Sequence, residues 1–320
     1  MNYSTASYQT HDDSIDHLFS YIYKSIGLII YVLSSLGNVI SIGIFLTKSW
    51  RKNVCVFYLT CYTLSGVFYV NIFILTEIIN NISGYSLHKS NDIFCKLYLY
   101  SYFLFATLAP NVLIFASIDR FLLSSRNVDA RLYSSKRLAY FSLGISSLLW
   151  SLYYLHIPIN SGIQQISSTE FKCDFDQSQA YLSFVYYSLA GTNIIGCLTI
   201  AILVLISLKN IRYFRRMSRQ QRTRQVHTMK RKDFQLLRCL CILDIIYTVF
   251  SMLSLMYDIF YTFILKDETK LSMEQTIYSF LSRFFTFLTS IPYGSCFMVF
   301  FIISKAFRLE VKQLFRKTIG

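Results

Sequence analysis

A few ionisable side chains stand inside long apolar stretches of this sequence, where charge is otherwise scarce. Glu77, Asp244, Asp258 and Arg283 are four of these residues. A charged side chain at the centre of a bilayer costs about 2.5–3.5 kcal/mol, so such residues normally face a partner or a water-filled cavity. We therefore expect Glu77, Asp258 and Arg283 to pair with one another or to contact a bound ligand, whereas Asp244 is expected near mid-membrane.

Sequence patterns of membrane enzymes are missing from the chain. It contains neither His-Glu-x-x-His, which places two zinc ligands and a general base on one helix face, nor Gly-x-Gly-Asp. Both are motifs of proteases that act in or at membranes. We therefore predict a protein that is not an enzyme and that has no cofactor and no metal.

The elements that position the ionisable residues are apolar blocks long enough to cross a bilayer. Apolar residues make up 54% of the 320 and charged residues only 15%, too little charge for a soluble surface. Each block exceeds the roughly 20 residues that a helix needs to span the hydrocarbon. Backbone groups in lipid must bond internally, so each block is predicted to be helical, in an all-α seven-helix bundle. The blocks lie at about 25–47, 54–79, 93–125, 137–158, 179–208, 234–265 and 275–303.

Basic residues between the blocks indicate how the chain crosses the membrane. Of the 31 Lys and Arg, 24 lie in 48–53, in 120–137, in 209–238 and after 303. The positive-inside rule places these segments in the cytoplasm, so the net charge of +14 reflects orientation and not nucleic-acid binding. We predict a plasma-membrane protein with an extracellular segment 1–24, a transmembrane domain 25–303 and a cytoplasmic segment 304–320. Residues 1–20 do not read as a cleavable signal peptide.

Features outside the blocks agree with this orientation. The two N-glycosylation sequons, at Asn2 and Asn81, fall on the predicted outer side. The segment Lys305–Lys317 reads as a short amphipathic helix with basic residues opposite an apolar face. Such a helix would lie on the anionic inner leaflet of the lipid bilayer.

Several motifs resemble those of the rhodopsin-like G-protein-coupled receptors. Asp119-Arg120-Phe121, at the inner end of the third block, is similar to the Asp-Arg-Tyr motif of that family, and Cys95 stands 25 residues earlier, at the family's spacing. Further similar positions are Gly37-Asn38, Trp150 and Phe307-Arg308. The resemblance covers about 25–317. It implies a receptor that binds an extracellular ligand and activates a heterotrimeric G-protein.

The resemblance implies different roles for the two ends of the third helix. Twenty-five helical residues rise about 37 Å, so Cys95 and Arg120 lie at opposite membrane faces. Cys173 stands in the extracellular loop 159–178, and the cell exterior is oxidising. A Cys95–Cys173 disulfide is therefore expected, and it would tether this loop to the outer end of the helix.

At the cytoplasmic end, the resemblance implies that Arg120 pairs with Asp119 at rest and contacts the G-protein when the sixth helix swings outward. Asp233, at the start of the sixth helix, is either a second resting partner of Arg120 or one more charge in a basic stretch. Val128 stands where the family has an apolar residue that inserts into the G-protein. The alternative for Val128 is an ordinary loop residue facing solvent.

The ligand site is expected in the outer half of the bundle. Tyr102 precedes Arg120 by 18 residues, or five turns, so both lie on one helix face, with Tyr98 beside them. Amine receptors of the family keep an Asp at the Tyr102 position, and opsins keep a Lys near Ser290. Neither residue is present, so the resemblance argues against an amine or a retinal ligand.

Acidic residues near the predicted outer mouth favour a basic peptide as ligand. Glu77 and Asp258 lie in the outer parts of their helices, and Asp174 and Asp176 stand on the extracellular loop. The pattern resembles that of some neuropeptide receptors, of the FMRFamide type. Arg283 either contributes to the same ligand site or neutralises one of these acids without contacting the ligand.

The sequence also departs from the family at positions that take part in activation. The sodium-site Asp falls at Gly66, the sixth helix has neither Trp nor Pro, and the Asn-Pro-x-x-Tyr motif appears as 296–300, with Pro292 one turn earlier. Asp244 either replaces the lost polar centre or is protonated and bonded to Asn or Ser neighbours. These losses keep two alternatives open: a receptor fold that does not signal through G-proteins, and a seven-helix transporter or channel.

Overall fold

The structure is a computed structural model in which residues 21, 23–83, 87–124, 134–165, 171–176, 178–220, 231–264, 280–281 and 284–319 are described. Within these ranges the side chains of 23, 87, 124, 171, 179, 210–220, 231–232, 257–264 and 317–319 are not described.

Eight long helices, labelled α1 to α8, form most of the described chain. Six of them are long and apolar enough to cross a membrane, and α7, bent by 49° at Ser295, is a seventh. The prediction of an all-α seven-helix membrane bundle is therefore confirmed. The helices are α1 (Leu28–Phe45), α2 (Val54–Ser83), α3 (Asp92–Ser124), α4 (Lys136–Tyr153), α5 (Gln179–Gln220), α6 (Arg231–Ile264), α7 (Phe284–Gly294 and Cys296–Ile303) and α8 (Lys305–Ile319).

Shorter elements connect or interrupt the long helices. π-Helical turns precede α1 (Tyr23–Gly27) and lie within α2 (Val70–Ile74), and four-residue helices occupy Leu87–Ser90 and His156–Ile159. A two-stranded antiparallel hairpin, β1 (Ser161–Gln165) and β2 (Phe171–Phe175), stands where the sequence was read only as a loop.

The predicted disulfide between Cys95 and Cys173 is present. It joins the first turn of α3 to β2, and Ile163 of β1 lies directly opposite Cys173. Arg120 lies 25 residues farther along α3, at the other end of the bundle. We call these two ends of the bundle the disulfide end and the arginine end.

Large apolar side chains cover the outward faces of the helices. Leu36, Leu148 and Leu205 are each at least 59% exposed, which in water would form large unstable apolar patches. In a membrane these outward faces would contact the lipid chains. The inward faces of the helices pack against one another and form the core. At the arginine end the core ends in an aromatic cluster that packs α8 against α1 and α7. The cluster consists of Phe45, Trp50, Phe300 and Phe307.

A proline inside α3 determines one of the contacts at the centre of the bundle. Pro110 has no N–H, so the carbonyl of Ala106, one turn earlier, loses its usual helical partner. The hydroxyl of Tyr293 donates to that carbonyl at 2.9 Å. Lipid has no hydrogen-bond donor for this carbonyl, so the donor must come from the protein. The hydroxyl of Tyr293 supplies it and thereby joins α3 to the bend of α7.

A glycine in α2 makes room for the same bend of α7. A Cβ placed on Gly66 would lie 2.5 Å from the carbonyl oxygen of Tyr293, too close for any real side chain. The amide of Asn38 donates to that carbonyl at 2.9 Å. The backbone of α7 therefore occupies the space where the resemblance would place an Asp side chain on α2.

Candidate functional site

Arg120 is buried at the arginine end, with 1% of its side chain exposed, and it is held by Asp119. Its Nη2 donates to Asp119 Oδ2 at 2.7 Å, and its Nε donates to the same oxygen at 3.1 Å. A buried guanidinium needs such partners because its desolvation is costly. The other oxygen of Asp119 accepts a hydrogen bond from Ser134 at 2.5 Å, so both carboxylate oxygens are used.

Asn53 connects Arg120 to the first turn of α6. Its Oδ1 accepts from Arg120 Nη2 at 3.0 Å, and its Nδ2 donates to Asp233 Oδ1 at 2.7 Å. Arg120 Nη1 itself lies 3.8 Å from Asp233 Oδ1 and makes no hydrogen bond within the described residues. We call the five residues Asp119, Arg120, Asn53, Asp233 and Ser134 the Arg120 network.

Helix termini position the members of the Arg120 network. Asn53 is the N-cap of α2: its backbone is extended, and its Oδ1 also accepts from the amide of Cys55 at 3.0 Å. Asp233 lies in the first turn of α6, where a carboxylate is favoured by the helix dipole. The Arg120 network therefore forms where the start of α2, the end of α3 and the start of α6 meet.

Asp244 forms a second polar link between α3 and α6, deeper in the bundle. Its Oδ2 accepts from Ser117 Oγ at 2.7 Å, and the residue is 1% exposed. Ser117 lies one turn before Arg120 on α3. Asp244 therefore has the Ser neighbour that one of its two sequence-based alternatives requires, and the choice between them stays a prediction.

At the disulfide end, Glu77 lies among aromatic side chains. The hydroxyl of Tyr98 donates to Glu77 Oε1 at 3.4 Å, and the imidazole of His88 stacks on the ring of Tyr98 at 4.5 Å. Burial, with a smaller contribution from Lys89, lowers the pKa of His88 to about 4, so this ring is uncharged at neutral pH.

Tyr102 lies one turn deeper than Tyr98 and packs against α2. Its ring centroid is 4.9 Å from that of Phe73 and 5.7 Å from that of Tyr69. Tyr69 stacks in turn on Tyr293 at 3.9 Å. An aromatic path therefore runs from the disulfide end to the bend of α7.

The hairpin is joined to α3 at two points. One is the disulfide, and the other is the amide of Ile163, which donates to Asp92 Oδ1 at 3.2 Å. Two acids of this region have lysine partners, because Lys96 lies 2.8 Å from Asp92 and Lys172 lies 2.7 Å from Asp174. Asp174 therefore forms an ion pair within the hairpin itself.

Several predicted residues lie partly or wholly outside the described residues. Asn2, Val128 and Arg283 are not described, and Asp258 belongs to α6 but its side chain is not described. Asn81 is described near the end of α2, where its Nδ2 donates to the carbonyl of Glu77 at 2.7 Å.

Asn53, Ser134 and Ser117 were not identified as site residues from the sequence. An Asn directly before an apolar block is an N-cap signal, which could have located Asn53 at a helix start but not beside Arg120. Ser134 and Ser117 carry no comparable signal.

The contacts at each end of the bundle join several helices, so a displacement of one helix would disturb them. A ligand near Glu77 and Tyr102 would touch α2, α3 and, through Tyr69, the bend of α7. At the arginine end, Asn53 and Asp233 form a short polar contact that an outward movement of α6 would break. Release of α6 would uncover Arg120, whose charge can then meet a partner from the solvent.

Comparisons with known proteins identify this arrangement. Residues 37–307 match the family model described as 7 transmembrane receptor (rhodopsin family). The comparison with curated proteins gives no match. The matched range begins at the Gly37-Asn38 pair, includes the disulfide and the Arg120 network, and ends at Phe307. Members of this family are signalling receptors and not enzymes, and the chain belongs to the rhodopsin family of seven-transmembrane receptors.

Proposed function

We propose that this receptor binds an extracellular ligand at the disulfide end and activates a heterotrimeric G-protein at the arginine end, in the plasma membrane. The observation that carries this proposal is the contrast between the two ends of α3. One end is tethered to a hairpin by Cys95, as a rigid outer mouth would require. The other holds a buried Arg120 whose partners include Asp233 on the neighbouring helix α6.

Burial of Arg120 supports a role in coupling to the G-protein. An Arg kept only for membrane orientation would be solvated, and this one is 1% exposed and held by an adjacent carboxylate. One of its partners, Asp233, belongs to α6, so the environment of this buried cation depends on where that helix lies. Movement of α6 is therefore expected to change the environment of Arg120 more than that of any surface Arg.

The ligand that we propose is a basic peptide, of the neuropeptide class. On the predicted outer side the sequence has twelve acidic and seven basic residues. Glu77 accepts a hydrogen bond from Tyr98, whose ring stacks on His88, and a carboxylate beside aromatic rings suits a Lys, an Arg or an amino terminus through charge and cation–π contact. We assign an anionic contact with the ligand to Glu77, which accepts a hydrogen bond from Tyr98 near the outer end of α2.

A receptor fold that does not signal is the second candidate. The replacement of the sodium-site Asp by Gly66, and the packing of α7 into the space beside it, favour this candidate. The intact Arg120 network favours signalling, because a non-signalling chain has no need of a costly buried Arg at this position.

The test is a screen of basic peptides on cells that express the receptor and report calcium and cyclic AMP. A responding peptide should lose its effect with Arg120→Ala, because no charge would be uncovered for the G-protein, while cell-surface expression and peptide binding persist. With Glu77→Gln the same peptide should reach the same maximal response, but its half-maximal concentration should rise about tenfold, which corresponds to the loss of one charge-assisted contact. An unchanged response of Arg120→Ala would contradict the coupling role, and an unchanged potency of Glu77→Gln would contradict the ligand role.

A further inference from the structure

We infer that Asn53 is the positioning residue that keeps α6 closed over Arg120 in the resting receptor. The inference rests on the proposed function, since it concerns how the G-protein face is kept closed. The sequence left open whether Asp233 pairs with Arg120, and the shorter contact with Asp233 belongs to Asn53.

The distances at Asp233 support Asn53 as the main contact to α6. Asn53 Nδ2 donates to Asp233 Oδ1 at 2.7 Å, whereas Arg120 Nη1 is 3.8 Å from the same oxygen and forms no hydrogen bond to it. A hydrogen bond to a charged acceptor weakens steeply with distance. The 2.7 Å contact is therefore the direct hydrogen bond that joins the first turn of α6 to the Arg120 network, and the ion pair of Arg120 with Asp233 adds a longer contact beside it.

The position of Asn53 lets one side chain connect three helices. Its backbone starts α2, its Oδ1 accepts from the amide of Cys55 and from Arg120 on α3, and its Nδ2 reaches Asp233 on α6. The amide of Cys55 and the Nη2 of Arg120 both donate to Asn53 Oδ1. These two hydrogen bonds fix the position of Oδ1 and therefore the rotamer of Asn53. The amide nitrogen is then directed at α6 before α6 arrives, so the closed state costs little side-chain entropy.

The same geometry distinguishes the two partners of Asn53. Outward movement of α6 removes Asp233 from Nδ2, but it leaves Arg120 bonded to Asp119 and to Asn53 Oδ1. The guanidinium therefore stays oriented by α2 and α3 while its Nη1 edge, which faces Asp233 at rest, becomes accessible. Asn53 thus holds α6 closed at rest and holds Arg120 in place after opening.

Three substitutions of Asn53 separate this role from helix capping. Asn53→Asp keeps an acceptor for Cys55 and Arg120 but places a second carboxylate against Asp233. Asn53→Ser keeps an N-cap but is too short to reach Asp233. Asn53→Ala loses both the cap and the contact. Lys52→Ala, at an exposed neighbour, is the control.

The measurement is the distance between spin labels on Arg137→Cys of α4 and Arg238→Cys of α6, both exposed sites, together with basal G-protein nucleotide exchange. The six native free cysteines are buried or half-buried and compete poorly for the label. Without ligand, Asn53→Asp and Asn53→Ser should each raise the ratio of open to closed receptors, read from the distance distribution, about tenfold. Basal nucleotide exchange should rise with that ratio. Lys52→Ala should leave both unchanged.

A swapped variant gives the sharpest test. Asn53→Asp combined with Asp233→Asn restores an amide–carboxylate pair in reversed order, so the closed distance and low basal exchange should return. Wild-type distances in both Asn53→Asp and Asn53→Ser, or no rescue by the swap, would overturn the inference. A change in distance without a change in nucleotide exchange would support the role of Asn53 and contradict the proposed coupling to a G-protein.

Discussion

At the scale of single residues, polar and small side chains determine how closely the helices approach. Gly66 is an example in which the missing side chain is the functional feature. The carbonyl of Tyr293 occupies the space that a Cβ would need, and Asn38 satisfies that carbonyl. A direct contact of α7 with α1 and α2 thus replaces the acidic side chain that the family resemblance places at this position.

Gly66→Ala should destabilise the receptor by about 1–3 kcal/mol, although alanine normally favours a helix interior by about 1 kcal/mol over glycine. The added Cβ would force the bend of α7 away from α2. Thermal unfolding in detergent measures the effect. The matched control is Gly43→Ala in α1, where a Cβ meets nothing within 4 Å and the melting temperature should stay the same or rise. Equal melting temperatures for the two variants would contradict the contact.

At the scale of elements, irregularities in one helix are satisfied by another. Pro110 leaves the carbonyl of Ala106 without its helical donor, and Tyr293 supplies a hydroxyl from α7. The tyrosine also stacks on Tyr69 of α2, so α2, α3 and α7 meet at one side chain. The proline and the tyrosine are therefore expected to be energetically coupled although they lie on different helices.

Tyr293→Phe should lower the free energy of unfolding by about 1–3 kcal/mol, because it leaves a buried carbonyl unsatisfied. In a Pro110→Ala background the loss should be clearly smaller, since the restored N–H of residue 110 can bond to Ala106. Thermal unfolding of the four proteins of this cycle gives the coupling. Tyr140→Phe, at a ring that is 59% exposed, is the control for loss of a hydroxyl. Additive effects of the two substitutions would refute the coupling.

At the scale of the whole molecule, charge distribution and the two ends of the bundle point to one orientation. Arg120 belongs to one of the sequence segments that together hold 24 of the 31 Lys and Arg, and the disulfide end lies at the opposite end of α3. Disulfides persist in oxidising compartments, and basic segments are retained in the cytoplasm. These two independent principles favour an extracellular disulfide end.

Epitope tags at residues 2 and 320 test this orientation. In intact cells an antibody should label the tag at residue 2, and the tag at residue 320 should require permeabilisation. A glycosidase should shift the mobility of the wild type, and the shift should disappear when Asn2→Gln and Asn81→Gln are combined. Labelling of both tags in intact cells would contradict a seven-span topology.

The sequence by itself determined the membrane architecture, the disulfide partners and the position of Arg120 at the end of α3. These features depend on properties that act along the chain: the length of apolar blocks, the requirement for internal backbone hydrogen bonds in lipid, and motif spacing on one helix. The β-hairpin was not predicted, because its strands are only five residues long and lie in a connecting loop.

Only the tertiary structure decided which polar groups meet between helices. Asn53 contacts Arg120 and Asp233 across 67 and 180 positions of the sequence, and Tyr293 contacts Ala106 across 187. Such pairings depend on the rotation of each helix about its axis and on the bend of α7, and a contact of 2.7 Å is lost with a small rotation. Apolar patterns fix helix rotation too coarsely to select one hydrogen bond, so these contacts emerge only when all the helices are packed.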